Sequence, residues 1–285
     1  MSDRPLLHRS YDLHCHSNQS DGILSPEALV SRAKAHQVSV LSLTDHDTLA
    51  GLATAEAHAH KEGIEFINGV ELSCLWEKRG IHVVALGFDR DHPALVQVVG
   101  RQKEIRAERG LIIAEKLERL GFSGLLEQAR EVAGSTDAIG RPHFAQAMVD
   151  LSYVGSINLA FKKYLGAGKA GDVKQMWPGF DSIVPAIRKA GGIAVIAHPL
   201  KYKMTRAKLC KMIADFVEAG GEAMEVVSGV QRSDQSRDMA TIARRFGLLA
   251  SCGSDFHAPM MHWAEIGKVS ALPDNVEPVW SRWEQ

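Results

Sequence analysis

The order of apolar runs predicts an α/β protein with a parallel sheet, doubly wound or closed as a barrel, and a helical insert in its middle. Two observations carry this. Apolar, β-branched runs alternate with helical stretches up to about residue 90 and again from 181 to 253, and strands that alternate with helices pair in parallel. From about Asp91 to Gly179 the alternation stops and helical stretches alone remain.

In chain order, a strand is expected over about Ser10–His16. A helix then opens at Ser25-Pro26-Glu27, with Ser25 as N-cap and proline at the first helical position. The β-rich run Val38–Thr44 follows, and a second helix starts near Thr48 and ends at Gly63. Ile64–Leu72 and Ile81–Phe88 read as two further strands. Leu95–Leu120 and Gly124–Val132 are the helical stretches of the middle segment. The alternation resumes with a helix at Asp181–Ala190, a strand at Ile193–Ala197, a helix at Thr205–Ala219 and a strand at Ala223–Val227. A helix at about Ser233–Phe246 and a strand at Leu248–Gly253 complete it. The expected organisation is a first sheet portion over 1–90, the insert over 91–179 and a second sheet portion over 180–285.

Composition narrows the class of function. Apolar residues make up 45% and charged residues 24%, as in ordinary soluble domains. The formal net charge is −1, so no global field draws nucleic acid, and a polyanion must be recognised by a local patch. The opening MSDRPLLHRS has no apolar stretch of the secretory kind, and no run approaches the roughly 20 apolar residues that cross a bilayer. Cys15, Cys74, Cys210 and Cys252 are scattered singly, which predicts free thiols in a reducing compartment. A soluble cytoplasmic protein is expected, with no membrane contact, and no protein partner is inferred.

The thirteen histidines matter for where they fall. His14 and His16 bracket Cys15 in Tyr-Asp-Leu-His-Cys-His, and alternate residues of a strand share a face, so both imidazoles point one way and Cys15 the other. Asp255 and His257 repeat that spacing in Gly-Ser-Asp-Phe-His at the end of the last clear strand. His58 and His60 lie in a predicted helix, where two positions amount to about 200°, so they cannot chelate one ion together and read as solvated surface. His46 follows a strand in Leu-Thr-Asp-His-Asp, Glu71 ends Asn-Gly-Val-Glu-Leu, His82 opens the next strand and His198 closes Val-Ile-Ala-His-Pro. Asp21 follows the first strand, and His143 stands in Gly-Arg-Pro-His at the edge of the insert. In parallel barrels the C-terminal strand ends carry the active site.

Any one of these residues alone reads more simply as a hydrogen-bonded structural group. Asp45 and Asp47, which flank His46, suit helix N-caps as well as partners behind a metal ligand. Their joint occurrence points to a metal site, and imidazole and carboxylate donors without thiolate suit Mn²⁺, Fe²⁺, Zn²⁺ or Mg²⁺.

These residues in this order resemble the PHP family (polymerase and histidinol phosphatase). Its four motifs correspond to His14-Cys15-His16 with Ser-Asp21-Gly, Thr-Asp-His46-Asp, Ala-His198-Pro and Ser-Asp255-Phe-His257. The branch of cytoplasmic nucleoside 3′,5′-bisphosphate phosphatases and short-RNA 5′ exonucleases is similar in its Leu-His-Cys-His-Ser opening, its Gly-Val-Glu71-Leu-Ser strand and its insert carrying Gly-Arg141-Pro-His143. The resemblance implies a distorted seven-stranded β/α barrel with a trinuclear centre, Mn²⁺ foremost. One metal would take His14, His16, Glu71 and Asp255. A second would take Glu71, His82 and His143, with Glu71 bridging, and a third Asp21, His46 and His257. Some relatives carry histidine at the position of Asp21. His198 is assigned by the resemblance to the substrate phosphate, and Glu71, Asp255 and His198 are the residues expected to carry the reaction.

A phosphate monoester is dianionic and repels hydroxide, so clustered cations that neutralise the phosphoryl oxygens and lower a water's pKa towards about 7 suit its hydrolysis. The expected nucleophile is a hydroxide between the Glu71-linked pair, with His198 stabilising phosphoryl charge or protonating the leaving 5′ oxygen. Arg106 and Arg109 lie three apart on a predicted helix and can share a face. On composition alone they belong to a solvated mixed-charge helix, since Lys103, Glu104, Glu108 and Glu115 lie nearby. The resemblance reverses this, because that branch holds a 3′-phosphate with basic residues of its insert, and Arg141 is the third candidate. The stretch Lys201–Lys211 holds Lys201, Lys203, Arg206, Lys208 and Lys211 without an acid, and suits either anion steering or a solvated face.

The expected activity is removal of the 5′-phosphate from nucleoside 3′,5′-bisphosphates, extending to 5′ trimming of short oligonucleotides. Histidinol-phosphate phosphatase is the competing enzyme reading, and a noncatalytic metal-binding regulatory module the competing reading of another class. Long duplex DNA is not expected as a substrate, because neither an extended basic groove nor an aromatic stacking run is visible along the chain.

Overall fold

The computed structural model describes residues 9–134, 139–166, 168–173, 176–260 and 262–283. Seven strands form one sheet in sequence order: β1 (Tyr11–Asp12), β2 (Val40–Leu43), β3 (Glu65–Trp76), β4 (Arg79–Leu86), β5 (Ile193–Ile196), β6 (Ala223–Ser228) and β7 (Leu249–Gly253). The sheet curls back on itself. Leu13 N–H donates to the Cys252 carbonyl at 3.1 Å, and Cys15 bridges Phe256 in parallel, so the end of β7 meets the end of β1. The result is the distorted seven-stranded β/α barrel expected from the sequence.

The sheet is mixed where a parallel one was expected. β3 runs on to Trp76 and turns back through Glu77 and Lys78 into β4, so β4 pairs antiparallel with both β3 and β5. A parallel crossover needs a dozen or more residues, and the short gap between these two runs leaves room for a hairpin alone. β4 therefore starts at the rim where the parallel strands end.

Helices cover the outside of the barrel. α1 (Pro26–Ala35) starts where Ser25 accepts the Ala28 amide at 3.2 Å, as the Ser-Pro signal predicts. α2 (Leu52–Glu62) ends at Gly63, whose φ of 69° is the left-handed conformation that closes a helix without a Cβ clash. α7 (Phe180–Lys189), α8 (Arg206–Glu218) and α9 (Ser233–Arg245) follow in the second half. Their apolar faces and the sheet form one core that includes Leu29, Leu41, Leu72, Ile183, Phe216 and Met239.

Between β4 and β5 lie α3 (Pro93–Glu118), α4 (Leu125–Ala133), α5 (Arg141–Asp150), the four-residue α6 (Ile157–Ala160) and a π turn over Phe161–Leu165. These helices share a second apolar cluster around Ile113, Leu117, Leu125, Phe144 and Met148. α3 spans 26 residues, about 39 Å, and joins the two cores. Leu95 packs in the barrel core and Ile113 and Leu117 in the second cluster. Arg106 and Arg109 lie between. Among the described residues no helix is long and apolar enough to cross a membrane.

Candidate metal centre

One rim of the barrel gathers the strand ends. The chain carries His14 and His16 onto it past β1 and His46 past β2, and His46 forms a parallel bridge with Glu71 of β3. His82 belongs to β4, and the antiparallel run of that strand explains how a residue near a strand start reaches a rim built from strand ends. His198 follows β5, and Asp255 and His257 follow β7. Gly253 permits the approach of β7 to β1, since a Cβ there would lie 2.3 Å from the His14 Cβ. Cys15 turns away into the core, where its thiol donates to the Ser42 carbonyl at 3.2 Å.

The donor atoms converge as ligands do. His14 Nε2 and His16 Nε2 are 3.1 Å apart, and Glu71 Oε2 lies 3.4 Å from each. Asp255 Oδ1 is 3.5 Å from His14 Nε2 and 3.3 Å from His16 Nε2. Donors about 2.1 Å from a common ion stand roughly 3.0–3.4 Å apart at the edges of octahedral and tetrahedral shells. Glu71 also faces His46 Nδ1 at 3.0 Å through Oε2, and His82 Nδ1 and His198 Nε2 at 2.9 Å each through Oε1. A further group joins Asp21 to His257 Nε2 at 3.3 Å and to His46 Nε2 at 3.7 Å. His16 Nδ1 lies 3.8 Å from Asp21 as well, but its Nε2 is already turned to the His14 group.

Hydrogen bonding alone leaves this cluster unsatisfied. Glu71 Oε2, His16 Nδ1, His46 Nδ1 and His198 Nδ1 are buried without a hydrogen-bond partner. Buried polar groups are otherwise almost always paired. The Glu71 oxygen has imidazole nitrogens on several sides and a bond from none, which is the surrounding of a cation ligand. The donor set fits divalent metal ions, and Glu71 is the carboxylate common to two of the ligand groups.

Ionisation states follow the same geometry. Burial pushes the Glu71 carboxyl up, but the imidazoles of His82, His46 and His14 outweigh it and hold it well below the usual range. Burial pushes His14 down, yet Glu225 and Glu71 together lift it to about 10. Burial holds His16 well below its ordinary value, with His257 and His46 adding to the effect, and lowers His82 to about 4 against the pull of Glu71. Burial lowers His198 too, opposed by its bond to Glu71.

Two expected site residues stand apart from their expected groups. His143 is not among the donors around Glu71 and His82. Its Nδ1 accepts the Gly140 amide at 2.9 Å at the start of α5, and Asp21 is among the charges near its ring. His198 is drawn into a group with His14 and Glu71. Asp255 and His257 also depart from strand alternation. Asp255 has a φ of 55°, and the turn sends its carboxylate to His14 and His16 while His257 faces Asp21.

The three arginines line one cavity of about 350 Å³ together with Asp21, His46 and His82. Arg106 is buried and donates from Nε to Asp47 Oδ2 at 2.6 Å. Arg109 is buried with its Nε unpartnered, and burial with the nearby Arg141 and Arg106 pushes it down to about 9. Both guanidiniums lie over Trp177, at 5.5 and 5.8 Å from the ring centre. Arg141 donates to the Leu165 carbonyl at 3.3 Å and sits 3.8 Å from Asp172. Three cations held this close in a half-buried cavity repel one another until an anion joins them. His58 and His60 lie away from this site on α2, where His58 bonds the Ser31 hydroxyl at 2.8 Å.

Sequence reasoning missed a supporting layer. Glu225 on β6 accepts from His14 Nδ1 at 2.5 Å and from the His198 backbone N–H at 2.6 Å. A register shift between Glu225 and Val227 aims that side chain inward. The available signal was a lone acid within the apolar run Ala223–Val227. Asp45 and Asp47 are supporting residues and not helix N-caps, since Gly51 takes that position at α2. Asp45 accepts from the Ser17 amide at 2.8 Å and from the Ser17 and Ser20 hydroxyls at 2.6 Å, fixing the loop before Asp21. Asp47 joins Arg106 to Ser73, accepting from the Ser73 amide at 2.7 Å. Asp12 accepts the Ser254 amide at 2.8 Å and so holds the loop of Asp255.

Residues 12–177 match the PHP domain family. The chain is 45% identical over 275 residues to the 5′-3′ exoribonuclease of Haemophilus influenzae, covering 96% of this chain and 99% of that one. It is 41% identical over 273 residues to the 3′,5′-nucleoside bisphosphate phosphatase of Chromobacterium violaceum, covering 96% of each. Among solved structures, an amidohydrolase from Chromobacterium violaceum with bound sulfate and no metal superposes with a TM-score of 0.89 at 41% identity, over 95% of this chain and 94% of that one.

Proposed function

Since this chain belongs to the PHP domain family, we propose that it removes the 5′-phosphate from nucleoside 3′,5′-bisphosphates and trims short oligonucleotides from the 5′ end. The observation that carries the reading is a single cavity with two kinds of wall. One wall is the outer edge of the histidine and carboxylate cluster, Asp21, His46 and His82, and the other is the trio Arg106, Arg109 and Arg141. A substrate with one phosphate leaves the trio unused; a substrate with two engages both walls.

The ligand assignment follows the family pattern; the distances support it for His14, His16 and Asp255, and bring His46 near both Glu71 with His82 and Asp21 with His257. His14, His16, Asp255 and Glu71 would hold one cation, Glu71 with His82 a second, and Asp21, His46 and His257 a third, with Mn²⁺ the leading candidate. His143, whose ring faces Asp21, stays a candidate ligand beside that third group. Bound divalent ions supply neutralisation of the phosphoryl oxygens and a water acidic enough to attack at neutral pH. The protein's own part is orientation and charge. Glu225 keeps the proton of His14 on Nδ1 and leaves Nε2 free as a donor. With Glu71 committed to cations, the His198 Nε2–H is left to donate to a phosphoryl oxygen. The arginines hold the remote phosphate, and Arg109 brings a buried N–H without a partner in the protein. The helices of 91–179 act in this reading as an inserted unit that supplies the second wall. The four free cysteines suit the cytoplasm as its compartment.

The test is a substrate panel with purified, Mn²⁺-loaded protein. A nucleoside 3′,5′-bisphosphate should exceed the matching 5′-monophosphate and histidinol phosphate in kcat/KM by tenfold or more, on the order of one charge-assisted contact. Equal turnover of all three would remove the bisphosphate reading.

A further inference from the structure

We infer that a second, basic cavity bordering the arginine trio binds the backbone of the nucleotides that follow the first 3′-phosphate of a single strand. The inference rests on the functional reading above and extends it by a site. The cavity measures about 760 Å³ and shares Arg141, Lys201, Tyr202 and Gly80 with the metal-side cavity. That volume lies within the range of about 300–1,000 Å³ typical of sites for whole small molecules, well beyond a lone phosphate.

Its lining runs against the charge of the chain as a whole. Lys78, Arg79, Arg141, Lys201 and Lys208 face two carboxylates, Glu77 and Asp172, in a protein of net charge −1. These cations come from three distant parts of the sequence: the turn between β3 and β4, the start of α5, and the segment from β5 into α8. Lys201 and Lys208 belong to the basic stretch Lys201–Lys211, and only the fold brings Lys78, Arg79 and Arg141 beside them.

Lys201 is turned to the Asp255 carboxylate, whereas the contacts of Lys78, Arg79 and Lys208 leave them available to a strand. Lys208 lies 3.3 Å from Glu77 and 5.5 Å from the Trp76 ring centre, and Arg79 donates to the Tyr202 carbonyl at 3.2 Å. Lys78, Arg79 and Lys208 are exposed, and exposed ion pairs of this kind contribute little and exchange readily for a phosphate. Arg141 borders both cavities, so a strand whose first 3′-phosphate rests on the trio is led past Arg141 towards Arg79, Lys78 and Lys208. Tyr202 borders the cavity with its hydroxyl tied inward, accepting the His82 amide at 2.8 Å. The groove's cations read backbone charge and are indifferent to base sequence.

The experiment compares a 5′-phosphorylated trinucleotide with a nucleoside 3′,5′-bisphosphate, in the wild type and in the double variant Lys78→Gln/Lys208→Gln, with Mn²⁺ throughout. Trinucleotide kcat/KM should fall roughly tenfold, and its salt dependence should flatten by roughly 1.4 in log–log slope, at about 0.7 per lost contact on a single strand. The bisphosphate should stay within about twofold, since it ends at the trio. Parallel losses on both substrates, or no loss on the trinucleotide, would overturn the groove. Wild-type turnover of the bisphosphate without the trinucleotide would overturn it too and leave the metal-side reading intact. If the wild type turns over neither, that reading fails, and the anisotropy of a fluorescent trinucleotide decides the groove. Equal affinity in the wild type and the double variant would then reject it.

Discussion

Glu225 accepts a 2.5 Å hydrogen bond from Nδ1 of His14, across 211 residues of sequence and from the opposite side of the barrel seam. The bond selects one tautomer and turns the His14 Nε2 lone pair into the cluster. Glu225→Gln keeps an acceptor in the same place but loses the charge that supports the imidazole. Mn²⁺ affinity should fall by roughly 10–100-fold with the fold retained, as expected for a partner behind a metal ligand. Calorimetric titration of chelator-treated protein measures it, and unchanged affinity would show that the bond is structural alone.

Glu71 faces five imidazoles and is the carboxylate common to two of the ligand groups. A neutral amide binds cations poorly, so Glu71→Gln should abolish most turnover, by on the order of a thousandfold if one cation is lost (~4 kcal/mol). His58→Ala and His60→Ala should leave activity unchanged, because both residues lie on α2 outside the site. Turnover by the metal-replete, folded Glu71→Gln protein near the wild-type rate would remove the bridge from the proposal.

Arg106 and Arg109 separate by what else they hold. Arg109 has an unpartnered buried Nε, so Arg109→Ala should lower kcat/KM for a bisphosphate tenfold to a hundredfold, or about 1.5–3 kcal/mol, relative to a 5′-monophosphate. The loss should fall on KM, since the contact is remote from the reacting phosphorus. Arg106→Ala should do the same and also cost about 3 kcal/mol of stability, because it strands the buried Asp47 carboxylate. Steady-state kinetics with both substrates and thermal melts of both variants check this. An identical fall for the two substrates would make the arginines structural.

Metal-free protein should be most stable near neutrality. His82, lowered to about 4, and His16 and His198, also lowered, take up fewer protons when folded, so stability rises with pH from about 4 towards 6.5. His14, lifted to about 10, contributes stability that is complete below 6.5 and lost as pH climbs to 10. Glu71 and Asp21, both held down, add stability above the ordinary carboxylate range that is lost as pH falls through their folded values. Urea midpoints of chelator-treated protein at roughly pH 5, 6.5 and 9 should therefore peak at the middle value. A flat profile would mean that the cluster does not titrate as a buried unit.

Much of this was legible in the chain because it depends on local rules. Val40–Leu43 and Ile193–Ile196 are short apolar strands between helices, and Ser25-Pro26 and Gly63 mark helix ends by their own chemistry. His14 and His16 could be paired because extended backbone puts alternate residues on one face. The same two-residue spacing misleads at Asp255 and His257, where a left-handed φ replaces the extended backbone and divides the residues between two groups. Glu225 was hidden for the opposite reason. One acid in an apolar strand carries no sign of its partner until the barrel closes and brings His14 against it. The antiparallel course of β4 is implicit in the short gap after β3, but periodicity gives strand existence and not direction.

The position of Arg106 and Arg109 between two separate apolar clusters on one long helix bears on how such a protein changes over generations. Substitutions that repack the cluster around Phe144 and Met148 can shift the far half of α3 and the start of α5, and with them the arginines, while the barrel core under Glu71 keeps its packing. Selection can thus tune which phosphorylated molecule is preferred without first losing the ability to cleave any. Drift in the insert becomes a source of new preferences, and drift in the barrel a source of inactive descendants.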